Sequence, residues 1–143
     1  MDWRVQKVIF YMKSNLHRKL CLNEIAQSVG LSPSRLSHLF RDGKKGVGMT
    51  PLECLQSLRM QRARELLHDP LLSIKQIRLR VGIRDKSYFA TLFRRTYGVT
   101  PSRYREKVLT GNIAEREPKS LLERLERGRF DPRHSLKTPK ETD

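Results

Sequence analysis

Apolar residues recur along this chain at helical spacing. Val5, Val8, Ile9, Met12 and Leu16 fall on one face of a helix over residues 3–15, with Asp2 placed to cap it. Ile25 and Val29 lie one turn apart, and the segment stops at Gly30, the residue that takes left-handed geometry at least cost. Ser32 and Pro33 then supply a cap and a first helical residue for a stripe of Leu36, Leu39 and Phe40. Thr50-Pro51-Leu52-Glu53 has the form of a capped helix start, and the helix it opens runs to about residue 67 with a stripe of Leu52, Leu55, Met60, Ala63 and Leu67. Phe89, Leu92 and Phe93 mark a further helix. A last one opens at Thr100-Pro101, with Tyr104 and Val108 on one face. The pattern predicts an all-α chain.

The pattern also repeats. Cys21-Leu-Asn-Glu-Ile-Ala-Gln-Ser-Val-Gly-Leu31 aligns with Ser73-Ile-Lys-Gln-Ile-Arg-Leu-Arg-Val-Gly-Ile83 at a constant offset of 52 residues. The register then slips by one, and Ser34, Leu36, Leu39, Phe40 and Arg41 match Ser87, Phe89, Leu92, Phe93 and Arg94. Each copy later reaches Thr-Pro, at Thr50-Pro51 and Thr100-Pro101. Each unit reads as helix, tight turn, helix. Ala26, Gly30 and Leu36 stand where a DNA-binding helix-turn-helix needs a small residue at the crossing, a glycine in the turn and an apolar anchor on the second helix. The helix over residues 50–68 joins the two units as a rigid spacer, which a flexible tether would not be.

Charge narrows the class of partner. The 143 residues carry 30 Lys plus Arg against 15 Asp plus Glu, for a net charge of +15. Of these, 22 basic and 8 acidic residues lie up to and including Lys107, so the excess belongs to the part that folds. Such a surplus is the electrostatic footprint of a protein that meets a polyanion. No apolar run approaches a membrane span, and Met1-Asp2-Trp3-Arg4 has no apolar leader, so a cytoplasmic location is expected. Cys21 and Cys54 lack the spacing of a zinc site or a disulfide framework.

Residues 3 to about 108 resemble the DNA-binding domain of the AraC/XylS family of bacterial transcription regulators. The resemblance rests on the doubled unit and on Arg59-Met60-x-x-Ala63-x-x-Leu66-Leu67. It rests above all on Val81-Gly82-Ile83-x-Asp85-x-Ser87-Tyr88-Phe89-x-x-Leu92-Phe93-Arg94-x-x-Tyr97-Gly98-Val99-Thr100-Pro101. It implies about seven helices, binding to double-stranded DNA as a monomer, two recognition helices in successive major grooves, and contact with RNA polymerase. Many members add a ligand-sensing domain, so the chain resembles either the stand-alone form or the detached output part of a longer regulator. The rival is a basic nucleoid-type or RNA-binding protein without sequence choice.

The sequence departs from this pattern in three places. Arg78 occupies the position of Ala26, where a long side chain must snorkel out or wedge the helices apart and loosen the second unit. Cys21 takes the cap position that Ser73 fills, with Glu24 at capping-box spacing. Three extra residues enter the first unit within Gly43-Lys44-Lys45-Gly46-Val47-Gly48, a stretch expected to form a mobile basic loop against DNA.

Contacts to DNA follow from which residues lie off the apolar stripes. On the first recognition helix these are Ser34, Arg35, Ser37, His38 and Arg41. Arg35 and His38 suit base readout, since Arg bonds guanine O6 and N7 as a fork and an imidazole N–H can donate to a purine edge. Ser34 and Ser37 are short readers, and Arg41 is placed to hold phosphate. The second helix offers Ser87 and Thr91 as weaker readers and Lys86, Arg94 and Arg95 as phosphate contacts, with Ala90 able to touch only a thymine methyl. Lys44 and Lys45 join the phosphate set, and Arg84, Arg103 and Arg105 are further candidates. The first unit is thus expected to carry most of the specificity.

Other chemistries find little in the sequence. Gly43-x4-Gly48-Met49-Thr50 approaches a phosphate-binding loop, but Met49 stands where lysine is required and a helix precedes it instead of a strand. His17, His38, His68 and His134 form no metal-binding pair, and no catalytic constellation, cofactor motif or enzyme signature is present. Residues 1–49 are expected to form the first subdomain, 50–68 the linker and 69–109 the second subdomain. Residues 110–143 are expected to be a poorly ordered tail in which 121–127 could form a short helix.

Overall fold

A computed structural model describes residues 1–111. The tail expectations, including the short helix at 121–127 and His134, lie outside the described residues. Within them the chain is all-helical, in the order α1 (Trp3–Ser14), α2 (Leu22–Gln27), α3 (Pro33–Arg41), α4 (Pro51–Leu66), α5 (Ile74–Arg80), α6 (Lys86–Tyr97) and α7 (Pro101–Leu109). No helix among the described residues is long and apolar enough to cross a membrane.

Side-chain caps start most of these helices. Asp2 accepts from the Arg4 N–H at 2.8 Å, Ser32 from Arg35 at 3.2 Å, and Asp85 from Tyr88 at 2.7 Å. Thr50 with Glu53, and Ser73 with Gln76, close reciprocal capping boxes. Cys21 is the N-cap of α2 but makes no side-chain cap bond. The expected box with Glu24 is not formed, because Glu24 instead accepts from the Tyr11 hydroxyl and from Arg18.

The helices pack into two apolar clusters that share α4. Val5, Val8, Ile9 and Met12 of α1, Ile25 and Ala26 of α2, and Leu36 and Phe40 of α3 meet Cys54, Leu55 and Leu58 of α4. Met60 and Ala63, farther along α4, meet Ile77, Phe89, Leu92, Phe93 and Tyr104. The linker is therefore structural in both units. Its buried side differs from the predicted stripe at one end: Leu52 is 48% exposed, while Cys54 and Leu58 are buried. Each side of this helix faces a different core, so a single stripe could not describe it.

Arg78 neither snorkels to solvent nor leaves its helix. It is only 8% exposed, and its Nη1 donates to the carbonyls of Ile83 (3.2 Å) and Arg84, so the guanidinium lies beneath the turn between α5 and α6. The glycine loop of the first unit also departs from expectation. Val47 and Gly48 donate to the Phe40 carbonyl at 2.9 Å, and Lys44 and Lys45 donate through their backbone to Asp42 Oδ1. Val47 and Met49 are buried. This loop is a hydrogen-bonded turn folded against the end of α3, because its two apolar residues have a core to enter.

Candidate nucleic-acid interface

The exposed sides of α3 and α6 carry the predicted contact residues. On α3, Leu36 and Phe40 are fully buried, which turns Ser34, Arg35, His38 and Arg41 to solvent, while Ser37 is half-buried at the edge. On α6, burial of Phe89, Leu92 and Phe93 leaves Lys86, Ser87, Thr91 and Arg94 exposed. The two faces match in register. Ser34, His38 and Arg41 correspond to Ser87, Thr91 and Arg94, each set at i, i+4 and i+7 along its helix. Arg35 corresponds to Tyr88, whose hydroxyl is bonded to Gln56 of α4.

Ser34, Arg35 and His38 come together with Arg4, Lys45 and Asp42 around an open cleft of about 400 Å³ beside α3. Arg4 was not anticipated. Nothing in the sequence near α1 marks it, and only the bond from the Asp2 N–H to the Lys45 carbonyl (2.8 Å), which ties the start of α1 to the turn after α3, brings it here. It is paired with Asp2 at 3.0 Å, and the Arg4 bonds hold the Asp2 carboxyl below its usual range. Asp42 is likewise lowered, chiefly by the backbone N–H groups of Lys45 and Lys44. Lys44 is exposed but does not line the cleft.

A second cleft, of about 500 Å³, lies between α5, α6 and the start of α7. Lys75, Arg78 and Lys86 line it with Phe89, Ala90 and Ser102. Lys75 is a second cation that sequence reasoning passed over. Ser87, Thr91 and Arg94 stand outside this cleft on the open face of α6. Arg95 is half-buried, with its Nε turned into the protein, a poorer placement for phosphate than that of Arg94. The Arg105 guanidinium donates to the carbonyls of Leu67 (3.3 Å) and Asp69 (3.0 Å), so it closes the end of α4.

Cys54 and His68 serve the fold. Cys54 is buried, and burial pushes its thiol up to about 12, which keeps it protonated. His68 meets the Tyr104 hydroxyl at 3.0 Å, and the two rings stack edge-on. Among the described residues no group of His, Cys, Asp and Glu could hold a metal ion.

Two helix-turn-helix units on one helix, each turning a polar face of its second helix to solvent in a strongly basic domain, define a double helix-turn-helix protein of the nucleic-acid-binding class. A family model described as a helix-turn-helix domain matches residues 25–107. The regulatory protein PocR of Salmonella typhimurium is 37% identical over 107 residues, covering 75% of this chain and 34% of that protein. A solved transcriptional regulator from Chromobacterium violaceum, described as having an AraC-type DNA-binding domain, superposes with a TM-score of 0.67. It is 30% identical and covers 73% of this chain and 91% of its own. The DNA-binding domain of the global transcriptional factor AdpA, solved with a target DNA, shares the fold with a TM-score of 0.69 at 24% identity, covering 78% and 96%. The chain belongs to the AraC family of transcription regulators and carries that family's DNA-binding domain. It spans about a third of the length of the curated relatives it matches.

Proposed function

We propose that this chain binds an asymmetric, two-part site on double-stranded DNA as a monomer, with α3 and α6 in successive major grooves. The observation that carries this reading is the pair of matched exposed faces, Ser34/His38/Arg41 and Ser87/Thr91/Arg94, on helices whose opposite sides are buried. A protein that gripped DNA without regard to sequence would need the charge but not two aligned recognition helices. The DNA-binding domain of AdpA, which shares the fold, was solved on a target DNA.

Arg35 and His38 read base edges in the first half-site, with Ser34 and Ser37 as short-range partners. Arg41, Lys44 and Lys45 hold the flanking phosphates. In the second half-site Lys86 and Arg94 grip phosphate, Ser87 and Thr91 express a weaker preference, and Arg95 contributes less because it is partly turned inward. The protein acts in the cytoplasm and alters transcription through contact with RNA polymerase.

Selection of the purified chain on a random duplex library at about 150 mM salt tests this, since non-specific binding is already weak there. The expected result is one asymmetric motif of two blocks about one helical turn apart. Binding that enriches nothing and simply fades as salt rises would overturn it in favour of a nucleoid-type role.

A further inference from the structure

The apolar cores change over at one residue of α4. Leu58 is the last α4 residue of the first cluster, and Met60 is the first of the second. Arg59, between them, belongs to neither. Its guanidinium leaves the helix sideways, and its Nη2 donates to the backbone carbonyl of Arg18 at 2.9 Å, in the loop that joins α1 to α2. That loop is firmly part of the first unit. The Asn15 side chain donates to the Tyr11 carbonyl at 2.8 Å, and the Arg18 side chain bonds Tyr11 and Glu24.

The Nη2–Nε edge of the same guanidinium also lies against the second unit. A Cβ built on Gly82, in the turn between α5 and α6, would lie 3.1 Å from Arg59 Nη2 and 3.2 Å from its Nε. It would lie 2.0 Å from the carbonyl oxygen of Leu16. The turn of the second unit is thus pressed backbone-to-backbone against the 16–18 loop of the first, with Arg59 filling the angle between them. Among the described residues Arg59 Nε is buried without a hydrogen-bond partner, and burial lowers the guanidinium from its usual range. An arginine held there at that cost is explained by what it joins.

Two bodies packed on one helix can still shift against each other by small slides of the packed side chains. A second contact off the helix axis removes that freedom. We propose that Arg59 is a positioning residue: bonded to the Arg18 carbonyl and packed beneath the Gly82 turn, it fixes the separation and tilt of α3 and α6, and so the half-site spacing this chain accepts. This rests on the two-part reading above for its DNA consequence, but not for its structural one.

The test has a DNA-free arm and a DNA arm, both on the full chain. Spin labels on native Cys21, exposed at the start of α2, and on Leu79→Cys, exposed on α5, report the distance between units, while buried Cys54 stays unlabelled. The parent should give one narrow distance distribution. Arg59→Met, which keeps bulk but loses the donors, should broaden it, and Arg59→Lys should broaden it less, with helicity unchanged in both. An unchanged distribution in folded Arg59→Met overturns the proposal.

In the DNA arm, the unlabelled parent and Arg59→Met are titrated with duplexes whose half-sites are moved apart or together by one base pair. The parent should favour one spacing by roughly tenfold or more, a preference near the cost of one poor contact. Arg59→Met should flatten that preference and leave affinity for a single half-site as it was. An equal loss on half-site and full site would contradict the positioning role. A flat profile in a parent with a narrow distance distribution would instead count against the two-part reading and leave the clamp standing.

Discussion

The two units repeat one sequence pattern and one helix order, yet equivalent positions do different work. The turn glycine Gly30 has φ +70° and nothing within 4 Å of where a Cβ would be; its counterpart Gly82 has φ +84° and a carbonyl oxygen 2.0 Å away. Ala26 closes the first helix crossing, while Arg78 fills the second and bonds the turn carbonyls from below. Arg35 stands on the exposed face of α3, and the residue in its place on α6, Tyr88, is bonded to α4. At these three positions the second unit uses its residues for internal contacts where the first does not. A repeat in sequence therefore does not guarantee repeated contacts.

The largest expected effect breaks the comparison at the glycines. Gly30→Ala should cost about 1 kcal/mol, the strain of a left-handed alanine in open space. Gly82→Ala adds a backbone clash to that strain and should cost about 3 kcal/mol or more in urea unfolding. Similar losses in the two variants would mean that the Gly82 turn does not meet the first unit as described.

Next is the helix crossing. If Arg78 were merely a misfit, Arg78→Ala would restore the arrangement of the first unit and raise stability. Because the side chain satisfies two turn carbonyls, the variant should instead lose about 2 kcal/mol. A rise in melting temperature would contradict that.

The caps give a smaller effect of opposite sign. Cys21 leaves an N–H of α2 without the side-chain partner that Ser73 provides in α5. Cys21→Ser should stabilise the chain by about 0.5 to 1 kcal/mol, read as a raised melting temperature.

Acidification should give the smallest. Asp2, Glu24 and Asp42 all lie in the first unit, and their partners hold each carboxyl below its ordinary value of 3.8 or 4.5. A carboxylate depressed in the folded state stabilises it above the unfolded value, and that stabilisation disappears as pH falls through the folded one. Asp42 is exposed and Asp2 and Glu24 remain in reach of solvent, so the loss is modest. Amide exchange between pH 5 and pH 3 should show protection falling around α1, α2 and the 42–45 turn. Protection that rises there on acidification would reverse the assigned sign.

Most of the fold was legible because it is written in local code. Caps at Asp2, Ser32, Thr50, Ser73 and Thr100, glycines at the turns, and stripes such as Phe89, Leu92 and Phe93 each act within a few residues, and each is where the sequence placed it. What sequence could not supply depends on residues far apart in the chain. Arg4 reaches the first cleft because the start of α1 is bonded to the turn after α3, and Arg105 caps a helix 38 residues earlier in the chain. Arg59 matches a family pattern, but only the approach of Gly82 to Leu16 shows what it touches. Even Leu52, on a well-marked helix, was misjudged because the two cores lie on different sides of α4.

The unequal division of labour is the central claim, and repeating the library selection with Arg35→Ala and Arg94→Ala tests it most directly. Arg35→Ala should lose preference at one or two base pairs of one block and leave the other block intact. Arg94→Ala should recover the same motif with lower affinity for every sequence and a salt slope reduced by about one. Variants that lose specificity and affinity alike would contradict the account.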